Sequence, residues 1–361
     1  MSSPSKVLFI PVDNGDALSD AAKRFETLLH AFSLDGFITD GTEVQVKLHF
    51  GEKGNRGYVR PELIRVLSDA VRDRGGSTVV SDSNTLYRGH RLKSADHLAL
   101  AHEHGFTDSV VGGRVTIADE KIEGATVTLP VNGRFVKEAK LLRSYTEAEA
   151  LISVAHFKGH LVTGFGGALK NVGMGCASRE GKLAQHAAVA PFVIAKKCIG
   201  CKACFEVCPA GAIAVSDGKA FLDAKKCIGC ASCIAACRSG AIELDWGGGA
   251  GAMTEKMVEY AAAAFGTPGK KICVNFVTRV TAECDCLAKD DPRIVPDIGI
   301  LMGTDPVAVD QACYDLVCSK AGGFDPFRKA HPNRDCVRQL DYAESMGVGV
   351  RSYNLVEVTP E

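Results

Sequence analysis

The sequence predicts an α/β protein in which helices flank a largely parallel sheet and a small cysteine-rich α+β domain interrupts the chain. Three observations lead to this fold class. Short β-rich runs alternate with segments of helical periodicity, several runs are almost continuously apolar, and eight of the fifteen cysteines fall between Cys198 and Cys237. A chain of 361 residues also exceeds the usual size of one hydrophobic core, so we expect two or more compact units.

Six segments outside the cysteine-rich stretch have the composition of buried strands. They span residues 6–12, 43–50, 77–82, 150–157, 270–278 and 297–303. Helices are predicted between them. Apolar periodicity indicates one over residues 16–34, another begins at Pro61 and ends before Gly75, and a third begins after Asp305.

Composition and charge exclude several functional classes. The 42 basic and 43 acidic side chains leave a formal net charge of −1, which gives no electrostatic signature for nucleic acid or an anionic membrane. No apolar stretch is long enough to cross a bilayer, and the run Val7–Val12 is too short for a signal-peptide core. We therefore expect a cytoplasmic protein with no nucleic-acid or membrane partner. Because cytoplasmic thiols stay reduced, fifteen cysteines indicate metal or redox chemistry rather than disulfides.

The clustered cysteines form two copies of one pattern, C-x2-C-x2-C-x3-C, offset by 29 residues. Three cysteines at this spacing can present thiolates to different irons of one cubic cluster, while the fourth serves the other cluster. The sequence therefore predicts two 4Fe-4S clusters. One would be held by Cys198, Cys201, Cys204 and Cys237, and the other by Cys227, Cys230, Cys233 and Cys208. Zinc is the alternative, but it usually takes two separated cysteine pairs.

Residues 196–245 resemble the bacterial two-cluster ferredoxin module, which implies a small inserted α+β domain. The predicted organisation is then a first α/β part over residues 1–195, the ferredoxin-like domain over 196–245, and a second α/β part over 246–361. One departure from the module is Arg238, which stands where proline commonly follows the fourth cysteine. We interpret it as a solvated surface residue, and the alternative is a cation that raises one cluster potential.

Basic side chains follow two predicted strands, at the sheet edge where open α/β folds bind ligands. The candidate catalytic residues are Lys47, His49, His156, Lys158, His160 and Lys170. Each alone could be an ordinary solvent-exposed residue. Three ionisable side chains of one parity in the sequence HFKGH favour a binding crevice instead, and its lysines would suit a small anionic substrate.

A second motif, Cys284-Asp285-Cys286, can chelate a soft metal or form a redox pair. Both cysteines are therefore candidate ligands of an additional metal, and an organic cofactor at this place is the alternative. The acidic neighbours Glu283 and Asp285 are expected to raise the pKa of the two thiols, which favours a purely structural pair. Cys176, after a Gly-Met-Gly turn, is a further candidate reactive thiol.

Several of these segments together resemble one family over nearly the whole chain. They are VKLHFGEKGN, SVAHFKGH, GALKNVGMG, ECDC and DIGILMGTDPVAVDQA, with the cysteine-rich insert between the third and the fourth. The sequence is thereby identified as similar to the domain-of-unknown-function 362 family of iron–sulfur centre proteins. The resemblance implies iron–sulfur clusters and this domain, and it implies no reaction or substrate.

Two functions of different class fit these patterns. The first is an oxidoreductase in which two 4Fe-4S clusters pass electrons to a crevice in the α/β domain. The second is an electron carrier that docks a redox partner protein and has no catalytic site of its own. A third interpretation makes the clusters structural and Cys284-x-Cys286 a metal-handling site. Size favours the first, because a carrier has no need of some 300 additional residues.

Overall fold

The computed structural model describes residues 3–87, 89–119, 124–186, 190–227, 231–243 and 252–359. Its main feature is a central sheet of eight strands among these residues. The strands are β1 (Ser5–Pro11), β2 (Glu43–Lys47), β3 (Ser77–Asp82), β4 (Arg114–Ile117), β7 (Ala150–His156), β14 (Lys270–Val277), β15 (Gly299–Gly303) and β16 (Tyr353–Glu357). Short pairs outside it are β5 (Thr126–Pro130) with β6 (Glu138–Leu142), and β8 (Lys158–His160) with β9 (Gly164–Gly166).

The strand order across the central sheet is β16-β1-β15-β14-β7-β2-β3-β4. β15 pairs antiparallel with both of its neighbours, and every other pair is parallel. The predicted α/β class with a largely parallel sheet is therefore confirmed. All six predicted strands lie in this sheet, and β4 and β16 complete its two edges.

Helices cover both faces of the sheet. They are α1 (Leu18–Phe32), α2 (Pro61–Arg72), α3 (Ser94–Glu103), α4 (Asp108–Val111), α5 (Arg143–Thr146), α6 (Ala168–Gly175), α7 (Arg179–His186), α10 (Met253–Phe265), α11 (Pro306–Lys320), α12 (Pro326–Ala330) and α13 (Arg338–Ser345). α1 and α2 pack their buried leucines on one face, and α6, α10 and α11 pack on the other. Side chains alternate between the two faces along β14. Ile272 and Val274 join the core under α1 and α2, while Cys273 and Val277 join the core under α6, α10 and α11.

Two helix starts show why these segments fold as predicted. Pro61 occupies the first turn of α2, where its missing N–H costs nothing. Asp305 caps α11, because its carboxylate accepts hydrogen bonds from the N–H groups of Val307 and Ala308 at 2.9 and 3.0 Å.

The cysteine-rich segment forms small sheets of its own. Its elements are β10 (Phe192–Val193), α8 (Ala203–Glu206), β11 (Ile213–Ser216), β12 (Lys219–Leu222), α9 (Ser232–Ala236) and β13 (Ile242–Glu243). β10 pairs with β13 and β11 pairs with β12, both antiparallel. The 29-residue repeat is visible in the backbone, since Lys202 before α8 and Ala231 before α9 both adopt a left-handed conformation, with φ of 63° and 57°.

No helix in the described parts of the chain combines the length and the apolar character needed to span a membrane.

Candidate functional site

A cavity opens at the carboxyl ends of β2, β3 and β7. Among its lining residues are Lys47, His49, Lys158, His160 and Lys170. The structure thus brings together five of the six residues expected in a crevice. The sixth, His156, does not line the cavity and lies behind it in the protein interior.

The cavity lining is strongly basic. Among the described residues, it contains five lysine and arginine side chains and one carboxylate, Asp82. The cations are Lys47, Arg91, Lys158, Lys170 and Lys182. An excess of positive charge in a concave, partly desolvated site favours an anionic ligand.

Lys47 and Asp82 form a buried pair at the floor of the cavity. Lys47 Nζ lies 3.0 Å from Asp82 Oδ1 and donates to the Asn171 side chain at 3.2 Å. Burial by itself would raise the pKa of Asp82, but Lys47 and His97 hold that pKa well below its usual value. Lys47 is therefore charge-balanced. Arg91 and Lys158 also lie near buried carboxylates, Glu52 at 3.4 Å and Asp285 at 3.3 Å, so the net attraction for an anion comes mainly from Lys170 and Lys182.

Arg91 is a cavity residue that the sequence analysis did not single out. Its side chain is 2% exposed, and Nη1 donates to Nε2 of His49 at 2.8 Å. Burial and the adjacent guanidinium hold the pKa of His49 well below its usual value, so His49 is neutral. The signal available in the sequence was the basic stretch His90-Arg91, which has no strand or helix periodicity to place it.

Lys182 is the second residue that the sequence analysis missed. It projects from α7, and its Nζ donates to Ser83 Oγ and to the carbonyl oxygen of Asn84, both at 2.6 Å. Burial lowers the pKa of Lys182 to about 8. An amine that loses its proton this close to neutrality can act as an acid or base.

The C-x-C motif lies at the wall of the same cavity. Ligand atoms of His160, Cys284 and Cys286 are all within 4.8 Å of one another. Lys170 Nζ is 3.8 Å from Cys284 Sγ, and Cys286 itself lines the cavity.

Asp285, between the two cysteines, points away from them. Its carboxylate lies 2.8 Å from Nδ1 of His156 and 3.3 Å from Nζ of Lys158. The other nitrogen of His156 donates to the carbonyl oxygen of Thr278 at 2.9 Å, so both ring nitrogens are occupied. Burial opposes ionisation of Asp285, but these cations hold its pKa far below the usual value.

This geometry corrects the expected effect of the acidic neighbours on the thiols. A hydrogen bond from Cys286 is the main cause that holds the pKa of Cys284 well below its usual value, and Lys170 and Lys158 contribute in the same direction. The same hydrogen bond raises the pKa of Cys286. Asp285 has little influence because His156 and Lys158 neutralise it.

Cys176 is fully buried, and burial raises its pKa to about 12. It is therefore not an activated thiol.

The clustered cysteines line two further cavities of similar size. One is lined by Cys198, Cys201, Cys204 and Cys237. The other is lined by Cys208, Cys227 and Cys233. In each cavity one cysteine comes from the other copy of the repeat, Cys237 in the first and Cys208 in the second, and Cys230 lies outside the described residues.

A cluster of buried apolar side chains connects the cysteine-rich segment to the basic cavity. Leu86 lines the basic cavity and belongs to the same buried cluster as Cys198, Cys204 and Cys233. Leu183, one residue after Lys182 on α7, packs in that cluster as well.

Comparison with known families gives a match over residues 44–315 to the family described as "Domain of unknown function (DUF362)". The chain belongs to the DUF362 family. The match covers both the basic cavity and the cysteine-rich segment, so this DUF362 protein carries its candidate sites within the matched region. A comparison with curated proteins gives no match.

Two solved structures resemble this DUF362 chain distantly. The lactate racemase apoprotein from Thermoanaerobacterium thermosaccharolyticum is 14% identical with a TM-score of 0.36, and the match covers 64% of this chain and 54% of that one. A Thermotoga maritima protein solved by the Northeast Structural Genomics Consortium is 13% identical with a TM-score of 0.44, and the match covers 87% of this chain and 61% of that one. The chain thus spans less than two thirds of either structure.

Proposed function

We propose that the protein is an iron–sulfur oxidoreductase that binds a small anionic substrate in its basic cavity. Its cysteine-rich segment would hold two 4Fe-4S clusters, which supply single electrons when bound. The observation that carries the proposal is the position of Leu86, because this buried side chain lines the space where a substrate would bind and belongs to the same apolar cluster as Cys198, Cys204 and Cys233.

The chemistry of the cysteine cavities fits such clusters. Backbone N–H groups point at the sulfurs, from Ala220 to Cys198 at 3.3 Å and from Ala241 to Cys237 at 3.1 Å. In the other cavity, Ala212 donates to Cys208 at 3.3 Å. Such donors stabilise thiolates and tune a cluster potential.

Residues of the basic cavity would hold the substrate and move its proton. Lys158 and Lys170 supply positive charge near the C-x-C motif, and Arg91 supplies positive charge beside His49. Lys182 is placed to exchange a proton at Nζ, since its ammonium is destabilised by burial.

Anaerobic metal analysis combined with a reoxidation assay tests the proposal. The purified protein should contain about eight irons and eight sulfides, and reduction should give the paramagnetic signals of two interacting clusters. The reduced protein is then mixed in turn with small carboxylates and phosphate esters, and the return of cluster absorbance is followed. Markedly fewer than eight irons in carefully prepared protein would contradict the two-cluster assignment.

In this assay, variants of cavity residues distinguish a defect in substrate binding from a loss of clusters. Lys158→Ala and Lys170→Ala should slow reoxidation by the active compound while the iron content stays unchanged. Lys23→Ala, on the exposed surface of α1, is the matched control and should behave as the wild type. Equal reoxidation rates in all three variants would exclude this cavity as the substrate site.

A pure electron carrier is the second candidate, and one observation favours it. Three apolar side chains near the first cysteine cavity are solvent-exposed, Ile199 by 69%, Phe221 by 57% and Phe205 by 52%. With the exposed Lys202 beside them, they suit an acidic redox partner protein. In that case no small molecule would reoxidise the clusters, whereas an acidic acceptor such as a flavodoxin would do so at a rate that falls with added salt.

A further inference from the structure

We infer that the wall of the basic cavity holds a single divalent transition-metal ion, bound by His160, Cys284 and Cys286. The ligand atoms of these residues already lie within 4.8 Å of one another. The inference rests on the proposed function in one respect, since the ion would face the proposed substrate cavity. It does not require that the 4Fe-4S clusters be present.

The backbone around Asp285 explains why both sulfurs point the same way. Residues 284–287 form a turn, which is closed by a hydrogen bond from the N–H of Leu287 to the carbonyl oxygen of Cys284 at 3.0 Å. Asp285 is fixed on the interior side by His156 and Lys158, at 2.8 and 3.3 Å. The turn brings the two cysteines together, since the N–H of Cys286 donates to Cys284 Sγ at 3.4 Å, and Cys286 lines the cavity.

A glycine brings the histidine to the two sulfurs. Gly159 N donates to the carbonyl oxygen of Thr281 at 2.8 Å, which joins β8 to the loop that leads to the C-x-C motif. A Cβ atom on Gly159 would lie 2.1 Å from the carbonyl oxygen of Ala282. Only glycine permits this approach, and it places the next residue, His160, against the cysteines.

The surroundings of His160 allow its Nε2 to act as a ligand. Nδ1 accepts hydrogen bonds from the N–H groups of Val162 and Thr163 at 3.3 and 3.1 Å, and it lies 2.9 Å from the hydroxyl oxygen of Thr163. The proton of the neutral ring is therefore on Nε2, and binding of a metal at Nε2 requires that this proton move to Nδ1. The Thr163 hydroxyl donates its own proton to the carbonyl oxygen of Phe165 at 2.6 Å, so its lone pair can accept the ring proton at Nδ1 in that tautomer. Metal binding would then take the lone pair of Nε2, and Thr163 would orient the ring from behind.

The donor set and the charges select the class of metal. Two thiolates and one imidazole suit borderline and soft divalent ions such as Zn²⁺, and two thiolates balance the charge of such an ion. Three protein ligands leave a fourth position open, as in catalytic rather than structural zinc sites. Because His160 and Cys286 line the basic cavity, that position faces the proposed substrate.

Zinc binding to the cluster-loaded full chain tests the inference. The protein is equilibrated with Zn²⁺, passed over a chelating resin, and analysed for zinc and iron together. The wild type should retain about one zinc, and the double variant Cys284→Ser/Cys286→Ser should retain about none with its iron content unchanged. Cys318→Ser is the matched control, because Cys318 is a partly buried free thiol outside this group, and it should bind zinc as the wild type does.

X-ray absorption at the zinc edge identifies the ligands in the retained site. We expect two sulfurs at about 2.3 Å and one nitrogen at about 2.0–2.1 Å. His160→Gln should lose the nitrogen and keep the sulfurs, which remains informative if the double variant fails to fold. Thr163→Val should weaken zinc affinity by about 10- to 100-fold through the loss of the orienting contact.

The outcomes separate this inference from the proposed function. A wild type that retains no zinc, or a double variant that retains as much as the wild type, overturns the metal site whatever the iron content. One zinc with the predicted ligands in a protein that lacks the expected iron supports the metal site and contradicts the proposed function.

Discussion

Lys182 illustrates how burial changes the chemistry of one side chain. The residue is 7% exposed, and the hydrogen-bond partners of its amine, Ser83 Oγ and the Asn84 carbonyl oxygen, are both neutral. Nearby Asp119 and Asp82 stabilise its charge only in part, so the pKa falls to about 8. An ordinary lysine titrates near 10.4, so Lys182 loses its charge in a range where the other lysines keep theirs.

The first prediction follows from the lowered pKa of Lys182. Below pH 8 Lys182 is protonated and unreactive towards acylating reagents, and above pH 8 it becomes a nucleophile. Acetylation at graded pH values, mapped by mass spectrometry, should show half-maximal labelling of Lys182 near pH 8. A midpoint shared with the exposed lysines of the same sample would contradict the burial argument.

The second prediction concerns Asp285. Replacing it with Asn removes the charge that compensates His156 and Lys158 in the interior, and breaking a buried ion pair costs about 3–5 kcal/mol. Asp69→Asn is a suitable comparison, since Asp69 pairs with Arg65 at the surface and such pairs contribute about 0–1 kcal/mol. Thermal unfolding followed by circular dichroism should show a much larger loss for Asp285→Asn, and equal losses would show that the interior pair is not stabilising.

A cavity residue could be predicted from the sequence when it lies at the carboxyl end of a predicted strand. Lys47 and Lys158 were found because they follow buried strands, whose carboxyl ends converge. Arg91 lies in a loop and Lys182 on a largely polar helix, so no periodicity indicates that either side chain turns inward. His156 follows the same strand rule, yet its partner Asp285 turns it away from the cavity, and a contact so distant in sequence has no local signal.

At the scale of elements, a buried carboxylate links α11 to α6. Asp310 accepts hydrogen bonds from the N–H groups of Ala168 and Leu169 at 2.7 and 2.9 Å, at the first turn of α6. It also accepts from Asn275 on β14 at 2.7 Å. α6 carries Lys170 and Asn171 into the cavity, so a residue on another helix fixes the position of these two side chains.

The third prediction follows from this link. Asp310→Ala leaves two buried N–H donors and one amide without a partner, and each costs about 1–3 kcal/mol. Asp325→Ala also removes a helix cap, but from the short α12, and the typical cost of losing such a cap is about 1 kcal/mol. Hydrogen exchange should show faster opening of α6 in Asp310→Ala alone, and unchanged protection of α6 would contradict the proposed link.

The strands show which elements a sequence can predict. β4 and β16 were missed because they are edge strands with partly exposed side chains, which removes the apolar pattern of a buried strand. The reversed direction of β15 was also beyond prediction. An apolar run such as Gly299–Gly303 has the same composition in either direction, and its orientation depends on connections made elsewhere.

At the scale of the whole molecule, the two cysteine cavities interlock. Cys237 from the second copy lies with Cys198, Cys201 and Cys204, while Cys208 from the first copy lies with Cys227 and Cys233. Each of the two proposed clusters would therefore need cysteines from both copies of the repeat.

The fourth prediction uses this arrangement. Cys201→Ala and Cys237→Ala should remove the same cluster and leave identical paramagnetic spectra, although the two residues belong to different copies. Cys208→Ala should leave the other spectrum, although Cys208 is much nearer to Cys201 in the sequence. Spectra that group by copy rather than by cavity would contradict the exchange of the fourth cysteine.

The place of β1 in the sheet determines the order in which the chain can be assembled. β1 is synthesised before the other strands of this sheet, yet its hydrogen-bonded neighbours are β15 and β16, which follow the others in chain order. β2, β3, β4 and β7 can pair with one another early, and the cysteine-rich segment is synthesised before β14. During translation, therefore, the apolar strand β1 stays unpaired until β15 and β16 have been synthesised. Its unpaired backbone groups and apolar side chains make the nascent chain dependent on protection from aggregation.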